Sequence, residues 1–228
     1  MYENTLLDKL NRKLGRYAIR NLMTIIVIGT ALVWLFDTTV YTATQFSVST
    51  YLYFDKALIL QGQIWRVLTF VFVPQQWSLF TFAVSMYFYW LIGNTLESEW
   101  GSFKFNAFYF CGVLCSIGSG FITGYATTEY LHLSLFLAFA ILYPDHQVLL
   151  FFFIPIKMKW LALIDVVGLV IIFVLSSWAA RIALLVAMLN IALFFWRYPI
   201  QKIKAWHRRR KWKKQTQRKD SDDYPFEL

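Results

Sequence analysis

The side chains that could do chemistry are few and scattered. The chain of 228 residues holds three histidines, His132, His146 and His207, and two cysteines, Cys111 and Cys115. A serine nucleophile needs a base within hydrogen-bond reach, and Ser134 is the serine closest in sequence to a histidine. His132 lies two residues away, a spacing at which helical side chains diverge. Ser134 is also flanked by Leu133 and Leu135, with no glycine to open space for a carbonyl. Glu129 and His132 are too few to complete a metal site and are expected to end a helix in water. Asp165 has no second acid on another apolar run with which to share a proton, as an aspartyl protease would need. It reads as an interfacial acid near Lys157 and Lys159. Cys111 and Cys115, four apart on one helix face, read as packing groups rather than as a disulfide or metal ligands. No metal or other cofactor is expected.

The elements that carry these residues are apolar. With 58% hydrophobic, 20% aromatic and 15% charged residues and a mean hydropathy of +0.50, the composition excludes a disordered, collagen-like, coiled-coil or disulfide-scaffold chain. Apolar runs near 22–41, 79–96, 104–124, 130–143, 160–177 and 180–197 predict six membrane-spanning helices. The fold class is an all-α polytopic membrane protein. The division is a basic N-terminus over 1–20, a membrane domain over 21–197, and a tail over 198–228 that is basic and ends acidic.

Charge orients the spans. Residues 1–20 hold five Lys and Arg, and the stretch from Arg197 to Lys219 holds eleven, of 22 in the chain. Adding Lys104, Lys157 and Lys159 puts nineteen on one face, and Lys56, Arg66 and Arg181 leave three on the other. The positive-inside rule then places both termini in the cytoplasm and 42–78 outside. The run WHRRRKWKK (Trp206 to Lys214) suits anionic lipid better than nucleic acid, because it follows a span directly. The first 20 residues are polar and basic, and the following apolar run has no small-residue cleavage site, so no signal peptide is expected.

Residues 58–73 (LILQGQIWRVLTFVFV) are too apolar for a plain linker and are interrupted by Gln61, Gly62, Gln63 and Arg66. They predict an amphipathic element immersed at the outer interface, with Trp65 as an interfacial anchor. Ser116, Gly120 and Gly124, and Ala179, Ala183 and Ala187, repeat small side chains every four residues and predict close helix approach.

Three motifs together resemble the rhomboid superfamily of intramembrane serine proteases and their inactive relatives, over roughly 20–197. GQIWRVLTFVF (Gly62 to Phe72) is similar to the family's first-loop signature at Trp65 and Arg66. IGNTLESEWGSFKFNAFYFCG (Ile92 to Gly112) resembles the segment closing the second span, at Gly93, Leu96, Glu97, Trp100 and Gly101. YPDHQVLLFFFIPIKMKWL (Tyr143 to Leu161) is similar to the loop before the fifth span in bacterial members. The resemblance implies a six-helix bundle with a membrane-immersed first external loop.

The proteolytic residues that the resemblance implies are not matched. Counting along the spans, the nucleophile falls near Glu129, the histidine base near Ala183, and the oxyanion donors near Thr81 and Ser85. No Gly-x-Ser-Gly stands in the fourth span and no histidine in the sixth. The expectation is a pseudoprotease that binds transmembrane helices of client proteins beside the second and fifth spans without cutting them, with Derlins as the nearest functional parallel. Alternatives are an active serine protease using Ser134, and a small transporter or lipid-handling protein. The expected partners are the bilayer, client transmembrane helices, and anionic lipid at the tail. The loop before the fifth span points to a bacterial plasma membrane.

Overall fold

With no water in the hydrocarbon to satisfy it, the backbone of a long apolar run must bond internally, and each such run here is helical. The computed structural model describes residues 5–44, 46–76, 78–150 and 154–195. In chain order the elements are α1 (Thr5–Leu14), α2 (Leu22–Thr44), α3 (Ser49–Leu52), β1 (Phe54–Asp55), α4 (Lys56–Leu60), α5 (Arg66–Thr69), α6 (Leu79–Trp100), α7 (Ser102–Thr123), β2 (Tyr125–Ala126), α8 (Glu129–Leu142), β3 (Gln147–Leu150), β4 (Ile154–Lys157), α9 (Met158–Leu175) and α10 (Trp178–Phe195). Among the described residues four helices, α2, α6, α7 and α9, are long and apolar enough, by length and composition, to cross a membrane. The expected fourth span, α8, has 14 residues. That is about 21 Å of rise against a hydrocarbon core of about 30 Å.

The core gathers where α2, α6, α7 and α8 converge, around Met23, Ile92, Leu96, Phe105, Phe108 and Leu135. Its outer surface is apolar, as a lipid-facing surface must be: Ile164, Val167, Val170, Ile171 and Val174 of α9 are all exposed. The turn between α6 and α7 is a single glycine, Gly101, at φ +81°, a conformation that other residues rarely adopt.

The helical class expected is what the described residues show, with short strands beside the helices. Two antiparallel strand pairs are present, β1 with β2 and β3 with β4. The first pair, with Phe54 opposite Ala126, ties the loop after α2 to the turn between α7 and α8. The second occupies the expected loop of 144–159, where Gln147 to Leu150 has no polar–apolar alternation to mark a strand. The basic run Trp206 to Lys214 and the whole of 198–228 lie outside the described residues.

Candidate functional site

In the loop between α2 and α6, the short helix α3 is held at both ends by buried charges. Asp37, 2% exposed, reaches from α2 to the start of α3. Its carboxylate accepts from the Val48 N–H at 2.5 Å, the Ser49 N–H at 3.2 Å and the Ser49 hydroxyl. Arg66, 3% exposed, closes the other end. Its guanidinium donates to the carbonyls of Thr50 at 2.9 Å and Tyr53 at 3.0 Å and to the Gln63 side chain at 2.7 Å, and it lies over the Tyr53 ring. A lone arginine at the membrane is costly unless partnered, and here carbonyl dipoles partner it. Trp65 donates its indole N–H to the Tyr51 carbonyl at 3.1 Å. Leu60, Ile64, Trp65 and Leu68 form an exposed apolar row on this loop, while Phe54 and Phe70 enter the core edge to face. Asp37 was missed as a site residue, although an acid within an apolar run followed by Ser47 and Ser49 was a usable signal.

The Gly93–Gly101 segment performs packing and turning. A Cβ on Gly93 would lie 2.3 Å from Met23 Cγ, so the α2–α6 contact needs glycine there. Leu96 is fully buried, and Trp100 packs edge to face on Phe108. Glu97 accepts from the Asn21 N–H at 2.8 Å and the Ser102 hydroxyl at 2.7 Å, joining the starts of α2 and α7. Tyr143 donates to Glu99 at 3.1 Å.

The positions where proteolytic residues would fall do not assemble. Ser134 is 1% exposed. Its hydroxyl donates to the Leu131 carbonyl at 2.7 Å and accepts from the Asn190 amide at 3.5 Å. Asn190 is a neutral amide and cannot take a proton as a general base. The cavity beside them, lined by Gly112, Ser119, Ser134 and Asn190, measures about 20 Å³, room for one water. Thr81 donates to the Ser78 carbonyl of its own helix, and neither it nor Ser85 lines that cavity. Glu129 is exposed at the first turn of α8. The side chain at Ala183 lies outside the described residues, as do those at Ala179 and Ala187.

Two further expectations are corrected. His132 does not end a helix in water: it is 7% exposed and stacks on Tyr89 of α6 with ring centroids 4.0 Å apart. Asp165 does not pair with the nearby lysines, because Lys159 and Lys157 both turn to Asp145, at 3.2 and 4.0 Å. Of the small residues, Gly120 meets Phe54 and Ala126 of the strand pair rather than a neighbouring helix, and Gly124, at φ +98°, ends α7. Ser116 lines the cavity beside Ser134. Within α7 the glycine at a helix crossing is Gly112, unforeseen, against Leu131 of α8 and Asn190 of α10. Both cysteines are free. Among the described residues no three His, Cys, Asp or Glu side chains converge as metal ligands.

No curated protein matches the chain. A family model described as a eukaryotic integral membrane protein matches residues 20–199, from just before α2 to beyond α10. The family is eukaryotic, which replaces the bacterial membrane expected from the loop before α9. The matched region takes in both the clamped loop and the Gly93–Gly101 turn, and the chain belongs to the eukaryotic integral membrane protein family DUF1751.

Proposed function

We propose that the protein is a rhomboid-like pseudoprotease of six spans that holds transmembrane helices of client membrane proteins without cleaving them. The observation that carries this reading is the loose seating of α9. Its Met158 end is fully buried and Leu161 and Ala162 pack on the core, but little of the rest of the helix is covered. The extensive helix contacts of α9, among the described residues, are with α8 and α10 and not with α6. We read the sparsely covered side of α9 as the place where a second helix enters, to pack at the usual distance of about 8–10 Å between axes.

The lack of a base for Ser134 argues against cutting. So does a cavity beside it that holds one water rather than a peptide carbonyl. In this reading Arg66, Trp65, Glu97 and Gly101 are architectural. Both termini face the cytoplasm, and the basic tail rests on anionic lipid.

Fluorophosphonate labelling of the reconstituted protein, beside an active rhomboid protease and a Ser134→Ala variant, tests the reading. The expected result is no labelling while the control reacts. Labelling that disappears in Ser134→Ala would instead establish the serine protease reading.

A further inference from the structure

The face that α9 turns towards the bundle is not uniformly apolar. Leu161, Ala162, Asp165, Gly168 and Leu169 are its half-covered residues, spaced as one helix stripe. Leu161 and Ala162 pack on the core, and Leu169 does not. A Cβ on Gly168 would find no atom within 4 Å. Asp165 stands at the edge of that opening, and its buried Oδ2 has no hydrogen-bond partner. Seven residues separate it from Met158, so it sits about 10 Å along α9, a third of the way through the hydrocarbon.

Helix α8, packed beside α9, carries a second such group. His132 of α8, stacked on Tyr89, has a buried Nδ1 that is also without a partner. An acid at this depth is costly when alone, and the lysines that could have met it are engaged by Asp145. Asp165 is thus an acceptor without a partner at a fixed depth on a sparsely covered helix face.

We propose that this opening selects a client transmembrane helix bearing a lysine or arginine at the depth of Asp165, whose carboxylate pairs with the incoming cation. The inference rests on the client-binding reading and adds a selection rule to it. A basic residue in a lone helix carries the same penalty as Asp165, and bringing the two together relieves both. Apolar contact along Leu169 and beyond supplies the rest, as helix association in lipid requires.

The test uses the full chain in liposomes with a photo-crosslinking residue in place of Leu169. Two model Leu/Ala spanning peptides are offered, identical except for Lys or Leu one third of the way along, with insertion of both verified by oriented circular dichroism. The Lys peptide is expected to be captured about tenfold more than the Leu peptide, the scale of polar contacts between model helices. Asp165→Asn should remove that excess and leave capture of the Leu peptide unchanged, which also shows that the variant is folded. Equal capture of both peptides, or an excess that survives Asp165→Asn, would overturn the selection rule and leave client binding standing. Capture of neither peptide would remove both.

Discussion

Asp37 and Arg66 grip opposite ends of the same single-turn helix. Asp37 accepts the N–H groups that open α3, and Arg66 donates to the carbonyls of Thr50 and Tyr53 at its close. The charges match the helix dipole, anion at the amino end and cation at the carboxyl end. A four-residue helix has little stability alone, so the loop takes its shape from two side chains anchored outside it.

Arg66→Lys should therefore fail to substitute for arginine. A lysine offers no planar fork to reach Gln63 and two carbonyls together. Losing buried partners of a charged donor costs about 2–3 kcal/mol, to be read as a lower thermal midpoint in detergent. Hydrogen exchange should quicken across residues 48–69 and not in α7. Unchanged exchange there would show that the loop does not depend on the guanidinium.

Glu97→Ala should loosen the junction of α2, α6 and α7. The carboxylate serves both the Asn21 N–H and the Ser102 hydroxyl, and Asn21 is held at φ +54°, an unfavourable conformation for a side chain with a Cβ. A destabilisation of about 1–3 kcal/mol is expected, with faster exchange at the amide of Asn21. Glu97→Gln keeps one acceptor oxygen and should lose less than half as much.

How far the sequence revealed this arrangement depends on the kind of signal. Helix positions were legible because apolar runs of span length have one backbone solution in lipid, and all six runs fall on helices to within four residues at either end. Arg66 stood out as an interruption of an apolar run, but its partners did not, since backbone carbonyls carry no sequence identity. Asn190 was hidden: one amide in an apolar run marks no position until the helices are packed, and only then does it meet Ser134. Gly112 was overlooked because a four-residue repeat drew attention to Gly120, whose neighbours turned out to be strands. The opening beside Asp165 depends on how far α9 stands from α6, a distance set by tertiary packing rather than by the composition of either helix.

Ser134→Ala should cost little and change no chemistry. The variant removes the acceptor for the Asn190 amide, a long contact at 3.5 Å, and a loss of about 1 kcal/mol is expected in a denaturation series. Cleavage of a model transmembrane substrate by the wild-type chain should equal that of empty liposomes. A cleavage product from wild type that vanishes in the variant would make Ser134 a nucleophile and place the missing base elsewhere.

Two glycines of α7, six residues apart, should respond oppositely to the same substitution. A Cβ on Gly112 would lie 2.3 Å from Leu131 Cδ1 and 2.9 Å from Asn190 Nδ2, whereas one on Gly118 would meet nothing within 4 Å. Gly112→Ala forces α8 and α10 away from α7 and should destabilise by about 1–3 kcal/mol, the usual cost of overfilling a packed interior. Gly118→Ala adds only helix propensity, about 0.5–1 kcal/mol of stabilisation. The clash at Gly112 is partly with the end of a leucine side chain, so adding Leu131→Ala should recover some of the loss, measured as coupling in a double-mutant cycle. Strict additivity of Gly112→Ala and Leu131→Ala would mean that the crossing of α7 and α8 is not set by this glycine.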